Sequence, residues 1–237
     1  MSAISSRTPS PTALRSGAAA AVALALCAWP VPALSLPDAE FYEYVGIGMF
    51  SSEGVDPNAP ETVSLTVLPE DWFDRGGGTG QAWTSAVQPV STGLSLSLIG
   101  GSDPSGIGGT STTQIRYYFS LVREDPEAPE YAELLLTASV SVTVDESDES
   151  IGRTFADITV ARSYSHRVTN CDANGSYNGS FGREWHDEPI IGSFAVGDVG
   201  TIDLYMSSHG DGSGVDYTFA GSAFIDPMLS VAGPWAD

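Results

Sequence analysis

The feature that most limits the possible folds of this chain is a repeated alternation of apolar and polar residues. Residues 94–98 read Leu-Ser-Leu-Ser-Leu, residues 140–144 read Val-Ser-Val-Thr-Val, and residues 202–206 read Ile-Asp-Leu-Tyr-Met. A period of two residues is the pattern of a strand with one buried face, because successive side chains of a strand point to opposite sides of its sheet. The sequence therefore predicts an all-β fold in which residues such as Leu204 are buried and residues such as Asp203 are not.

Turn-forming residues separate these segments at regular intervals. Asp-Pro-Asn stands at 56–58, Asp-Pro-Ser-Gly at 103–106 and Asn-Gly at 174–175, and glycine runs occur at 76–78 and 108–109. Eight to ten strands with this spacing predict a single antiparallel β-sandwich of the jelly-roll kind. A short turn of helix is expected only within 127–136, after Pro129. The predicted strands are 41–50, 63–67, 94–98, 115–122, 140–144, 155–161, 190–196, 202–206 and 217–225.

The first 35 residues have the pattern of an export signal. Arg7 and Arg15 precede an apolar run at 18–29, which is shorter than the ~20 residues that a membrane-spanning helix needs. Prolines and small residues follow, so we expect cleavage after Ser35, with a second possible position two residues earlier. The sequence thus predicts a signal peptide at 1–35, one secreted domain at 36–237 and no stable membrane insertion.

The charge balance excludes one class of partner. The chain carries 30 acidic residues against nine arginines and no lysine, and its net charge is −21. Nucleic acid is excluded because its phosphates must be neutralised by clustered basic side chains. The acidity either keeps an exported protein soluble or attracts cations.

The two cysteines offer no internal disulfide after export. Cys27 lies inside the predicted signal peptide, and Leu26 occupies the place where lipid attachment needs a small residue. Cys171 then stands alone in the mature chain. An intermolecular bridge, a reactive thiol and a tolerated loop residue are the three interpretations, and the last is preferred.

One segment has the alternating oxygen side chains of a calcium-binding loop. Asp172, Asn174, Ser176 and Asn178 provide them, but Tyr177 stands where such a loop needs its turn glycine. A solvated hairpin tip explains the same residues. We therefore expect no cofactor, with a calcium site at these four residues as the alternative.

Exposed tryptophans are candidates for sugar binding. Trp72, Trp83 and Trp185, together with Tyr205, would form an aromatic platform if they lay side by side. The competing interpretation is that they belong to the core or its rim, since aromatic residues supply much of a core's buried area.

A hydrolase is the least favoured interpretation. Glu184, His186 and Asp187 are residue types that perform general acid and base catalysis, but residue types without geometry do not define a catalytic site. The serine of Gly212-Ser213-Gly214 lacks the strand-to-helix setting of a nucleophile elbow. We therefore predict no catalytic residues.

Three stretches of the C-terminal half resemble a known group of proteins. They are Ile-Arg-Tyr-Tyr-Phe at 115–119, Leu-Leu-Leu-Thr-Ala at 134–138 and Gly-Ser-Ala-Phe-Ile-Asp-Pro-Met-Leu-Ser-Val at 221–231. The chain is similar there to bacterial exported proteins of the PEP-CTERM type, and the resemblance implies export and a sandwich fold but no particular activity. The sorting tail of that group does not occur in the residues up to Asp237, so we expect no anchoring by that route.

Taken together, these patterns predict a secreted, non-enzymatic β-sandwich of the extracellular surface or matrix. Its expected partners are polysaccharide or other matrix components. The alternative is a carbohydrate-binding or calcium-dependent adhesion module.

Overall fold

Twelve strands contain most of the residues that the computed structural model describes. The described residues are 36–86, 90–103, 105–123, 126–147, 150–162, 167–174, 190–212 and 217–231, and all belong to the compact unit Leu34–Asp237. A short 3-10 helix, Pro69–Trp72, connects the third and fourth strands. The strands are β1 (Glu40–Ile47), β2 (Phe50–Glu53), β3 (Thr62–Val67), β4 (Gly76–Ser85), β5 (Ser91–Gly100), β6 (Ile107–Ser120), β7 (Tyr131–Glu146), β8 (Ser150–Arg162), β9 (Arg167–Asn174), β10 (Ile190–Ala195), β11 (Val199–Gly212) and β12 (Thr218–Val231).

The strands form two six-stranded antiparallel sheets with jelly-roll connections. The first sheet has the order β2-β1-β6-β11-β8-β9, and the second has the order β10-β7-β12-β5-β4-β3. From β5 to β12 the chain passes repeatedly between the sheets. β11 returns to lie between β6 and β8, and β12 returns to lie between β5 and β7. This is the strand order of an eight-stranded jelly roll, and β1 to β4 extend one edge of each sheet by two strands. The predicted all-β sandwich is confirmed.

The core lies between the facing sides of the two sheets. Val142 and Val144 of β7 and Leu204 and Met206 of β11 are fully buried, as the alternation predicts. Asp203 is half-buried on the outer side of the same strand. The alternation of apolar and polar residues therefore predicted correctly which side of these strands faces the core.

Two glycines leave the space that one large aromatic side chain occupies in this core. Phe219 of β12 is 1% exposed, and its ring lies against Gly152 of β8 and Gly210 of β11. A Cβ atom would lie 1.8 Å from the ring at Gly152 and 2.4 Å from it at Gly210. The absence of a side chain at these positions is therefore what gives the ring its space.

Several local predictions are wrong. The glycine runs at 76–78 and 108–109 lie inside β4 and β6 rather than in turns, and β7 begins at Tyr131, where a turn of helix was expected. A Cβ at Gly109 would lie 3.0 Å from Leu98, so this glycine provides packing space. The predicted strand 41–50 is two strands, because Gly48 turns the chain with a φ of 60°. The predicted signal peptide, with Cys27, lies outside the described residues.

Candidate functional site

The predicted aromatic platform does not assemble. Trp83 lies in β4 on the outer side of the second sheet, whereas Tyr205 lies in β11 on the outer side of the first sheet, across the core. The backbone of Trp72 ends the short 3-10 helix, and Trp185 lies outside the described residues. A single platform that contains both Trp83 and Tyr205 is therefore excluded.

The calcium candidates divide between a strand and the undescribed part of the chain. Asp172 and Asn174 belong to the backbone of β9, where they pair with Asp157 and Phe155 of β8. Cys171 is also in β9, opposite Ile158, so its interpretation as a loop residue is wrong. Ser176 and Asn178 lie outside the described residues, as do the hydrolase candidates Glu184, His186 and Asp187. No group of three or more potential metal-binding side chains occurs in the part of the chain that the structure describes.

The outer side of the first sheet carries a group of aromatic, amide and carboxylate side chains that face away from the core. We call it the tyrosine face. It spans β1, β6, β11 and β8, and its residues occupy the less buried positions of strands that alternate between buried and exposed. Its members are Tyr42, Tyr44, Gln114, Phe155, Asp157 and Tyr205.

One row of the tyrosine face crosses four strands in register. Tyr42 pairs with Gln114, Gln114 with Tyr205, and Tyr205 with Asp157. Three inter-strand spacings of ~4.8 Å make the row about 14 Å long. It thus presents an aromatic ring, an amide, a second ring and a carboxylate in sequence across the sheet.

The aromatic rings of the face are partly exposed and supported by neighbours. Tyr42 is 39% exposed, and the rings of Phe155 and Tyr205 lie with their centroids 5.5 Å apart at an angle of 49°. The guanidinium of Arg153 lies 5.0 Å from the centre of the Phe155 ring, within the range of a cation–π contact. Burial, and then the nearby carboxylate of Glu53, raises the pKa of Tyr42. Its phenol therefore keeps its proton at neutral pH and remains a hydrogen-bond donor.

A charged row borders the aromatic row. Arg116 of β6 donates from Nε to Oδ1 of Asp203 at 2.6 Å, and its Nη1 lies 3.9 Å from Glu40. The hydroxyl of Tyr118 donates to Glu40 at 2.9 Å. The hydrogen bond to Asp203 raises the pKa of Arg116, so this side chain stays cationic. The network fixes the guanidinium beside the aromatic row, where it is 40% exposed.

Two cavities lined by described residues open on this side of the molecule. One, of about 490 Å³, lies between Tyr42, Asn58, Gln114 and Arg116. The other, of about 420 Å³, lies at the far end of the face. Its lining includes Tyr44, Gly46, Thr110, His209 and Asp211.

A glycine forms part of the floor of the second cavity. A Cβ at Gly46 would lie 2.6 Å from the hydroxyl oxygen of Tyr44, so the tyrosine ring extends over this glycine. Gly108 also lines the cavity, and a Cβ there would meet nothing nearer than 3.5 Å. The small floor residues leave room beside Tyr44 for a ligand group, with His209 and Asp211 available as polar partners.

One carboxylate beneath this sheet is structural. Glu43 of β1 points inward, is 1% exposed, and accepts hydrogen bonds from the Thr84 hydroxyl and from the backbone N–H of Glu61. Burial raises its pKa, and the nearby Glu61 carboxylate acts in the same direction. Because Glu43 lies between the sheets, it is not accessible to a ligand on the tyrosine face.

Sequence reasoning named Tyr205 but missed Tyr42, Gln114 and Phe155. A local signal did exist, because Tyr42 and Tyr44 occupy the outward positions of a strand whose alternate residues include Phe41 and Val45. Which strands lie side by side is set by the long-range connections, however, and no local pattern contains that information.

The fold and this face define a jelly-roll β-sandwich with an aromatic and polar outer surface. Comparison with known protein families and with curated protein sequences found no match. Among the described residues, no helix is long and apolar enough to cross a membrane.

Proposed function

We propose that this protein is an exported, non-enzymatic module that binds a polysaccharide chain along the tyrosine face. The observation that carries the proposal is the row of Tyr42, Gln114, Tyr205 and Asp157 across four adjacent strands. The proposed export rests on the pattern of residues 1–35 and on the resemblance of the C-terminal half to exported proteins. N-terminal sequencing of secreted protein is expected to begin at Leu36.

The chemistry of the row suits a sugar chain. The face of an aromatic ring is electronegative and attracts the weakly positive C–H groups on one side of a pyranose ring. The amide of Gln114 both donates and accepts hydrogen bonds, and the carboxylate of Asp157 accepts them from hydroxyl groups. A row of about 14 Å accommodates a short stretch of a polysaccharide, with rings at two of its four positions.

The surroundings of the row favour a polymer over a small molecule. A site for a small ligand is a concave pocket that encloses most of its ligand. The tyrosine face is instead an open sheet surface with a cavity at each end, near Asn58 and near His209. A chain lying along such a surface contacts it at several sugar units, and each contact can be weak.

Affinity electrophoresis tests the proposal. The mature protein is run in native gels that contain laminarin, galactomannan, xylan or alginate, and at least one polymer is expected to retard it. Tyr205→Ala and Gln114→Ala should each weaken retardation about tenfold, which corresponds to about 1.4 kcal/mol. Tyr131→Ala is the matched control, because this tyrosine is 62% exposed but belongs to β7 in the other sheet.

Two results would contradict the proposal. One is unchanged migration of the wild-type protein in every gel. The other is equal retardation of the wild-type protein, Tyr205→Ala and Gln114→Ala, because binding would then take place elsewhere on the molecule.

A further inference from the structure

The outer side of the second sheet carries an aromatic pair of its own. Trp83 of β4 and Phe224 of β12 flank Gly93 of β5, and the three residues are in register across the sheet. The two ring centroids are 6.0 Å apart and the ring planes meet at 39°. We call these three residues the tryptophan platform.

Gly93 lets the indole lie flat on the sheet. A Cβ at this position would lie 2.6 Å from Cε2 and Cζ2 of Trp83. The glycine is buried although it faces outward, because the indole covers it. Trp83 thus presents the face of its ring to solvent and remains half-buried.

The described surface around the platform carries few carboxylates and no basic side chain from its strands, although the chain has 30 acidic residues. The outward positions of the strands around the platform carry small hydroxyl and amide side chains, and Thr143 and Ser222 are hydrogen-bonded across β7 and β12 at 2.6 Å. Among the described residues, the carboxylates of this surface are Asp226, the next outward residue after Phe224 on β12, and Glu133 and Asp145, which lie farther away on β7. The uncharged outward residues include Thr62, Ser64, Thr66, Thr79, Gln81, Ser85, Ser91, Ser95, Ser97, Ser139, Ser141, Thr143, Ala220 and Ser222, with the exposed apolar residues Ile99 and Met228 farther from the platform.

This combination limits the occupant. An anionic ligand is disfavoured, because it would meet the carboxylate of Asp226 and the five strands β3, β4, β5, β7 and β12 contain no basic residue. Hydroxyl groups around the face of the indole suit a ligand that is flat, uncharged and rich in hydroxyls. An uncharged polysaccharide that presents a flat surface has all three properties.

We propose that the tryptophan platform is a second polysaccharide site, specific for uncharged polymers that present a flat face. A molecule with both sites could cross-link two polymers, and this part of the proposal rests on the proposed function because it also needs the tyrosine face. The two faces lie on opposite sides of the sandwich, since each is the outer side of a different sheet. One molecule then holds two polymers and cross-links them.

Sedimentation with insoluble polymer tests the second site. The mature protein is mixed with microcrystalline cellulose or with chitin and centrifuged, and the wild-type protein is expected in the pellet with at least one of them. Trp83→Ala should lower the apparent affinity about tenfold or more, because it removes the larger ring. Gly93→Ala should do the same while retaining the indole, since its Cβ displaces the ring from the sheet.

Controls separate the platform from the tyrosine face and from misfolding. Circular dichroism and melting temperature are measured for every variant, and Tyr131→Ala should sediment like the wild-type protein. Tyr205→Ala should also sediment normally, and Trp83→Ala should keep the retardation by soluble polymer that the proposed function requires. Wild-type protein bound to cellulose should capture the soluble polymer that retards it in gels, whereas Tyr205→Ala should not.

The outcomes distinguish the two proposals. No sedimentation of the wild-type protein, or equal sedimentation of the folded Trp83→Ala variant, would overturn the second site. Loss of self-association in Trp83→Ala with sedimentation unchanged would identify the platform as a contact between copies of the chain. Normal, Trp83-dependent sedimentation without capture of soluble polymer would instead count against the tyrosine face and leave the second site standing.

Discussion

The Phe219 ring and its two glycines allow a quantitative test of how the sheets pack. Phe219 is 1% exposed, and removing a buried phenylalanine side chain costs about 3–5 kcal/mol. Gly152→Ala places a Cβ 1.8 Å from the ring, whereas carbon atoms in contact lie ~3.5–4.0 Å apart. The ring or the strand must therefore move by about 2 Å. We expect this change to cost about 1–3 kcal/mol or more.

Urea unfolding of a double-mutant cycle measures the effect. The free energies of unfolding of wild-type protein, Gly152→Ala, Phe219→Ala and the double variant are obtained by linear extrapolation. Without the ring, the new Cβ meets no such obstacle, so Phe219→Ala should cost at least about 0.5 kcal/mol less in the Gly152→Ala background. Gly108→Ala is the matched control, because its Cβ meets nothing nearer than 3.5 Å, and it should change stability by less than about 0.5 kcal/mol.

Additive costs would refute this reasoning. If the double variant lost the sum of the two single losses to within about 0.3–0.5 kcal/mol, Phe219 and Gly152 would not be in contact. An equal loss from Gly108→Ala and Gly152→Ala would show that the effect comes from replacing any strand glycine, rather than from the space that the ring needs.

Three further predictions follow from the core, the buried carboxylate and the acidic surface. Leu204→Ala should lower the free energy of unfolding by about 2–5 kcal/mol, because Leu204 is fully buried. Asp203→Ala, which breaks a partly exposed ion pair, should cost about 1 kcal/mol or less, and equal losses would mean that the register of β11 is wrong. Because burial raises the pKa of Glu43, the native state holds this proton more tightly, and the stability that this group contributes falls as pH rises from the ordinary glutamate pKa through the raised one. In urea unfolding at several pH values, Glu43→Gln should therefore gain stability relative to the wild-type protein across that interval. A difference in the free energy of unfolding that stays constant with pH would contradict this. Calcium should leave the melting temperature unchanged relative to chelator, because the sequence from Asp172 onward has only a fragment of the calcium-loop pattern; a ligand at a hundred times its dissociation constant would add ~2.7 kcal/mol, so a rise of several degrees that Asp172→Ala abolishes would establish a site.

The predictable part of the fold is the part that local patterns encode. The alternation at 140–144 and 202–206 identified buried faces correctly, because each strand has one side in the core. The glycine runs were wrongly predicted to be turns, and there is a physical reason for this. Glycine favours turns, but Gly78 and Gly109 sit within strands, and both leave space for the side chain of Leu98. A glycine that serves a distant side chain looks the same in sequence as one that serves a turn.

The sequence predicted the kind of candidate site but not the residues that form it. The sequence indicated a sandwich with aromatic residues at its surface, and Trp83 does lie on an outer face. The tyrosine face, however, depends on β1, β6, β11 and β8 being neighbours, and Tyr42 of β1 and Tyr205 of β11 are 163 positions apart in the chain. The jelly-roll connections bring Tyr42 and Tyr205 into one row, and they place Trp83 on the opposite side.

Chemical-shift mapping tests the central claim most directly. Isotope-labelled mature protein is titrated with an oligosaccharide prepared from the polymer that retards it most, and amide shifts are recorded by NMR. The largest changes are expected at Tyr42, Gln114 and Tyr205, including the side-chain amide of Gln114. A saturable response confined to residues outside the first sheet, with these three unchanged, would contradict the assignment of the tyrosine face as the polysaccharide site.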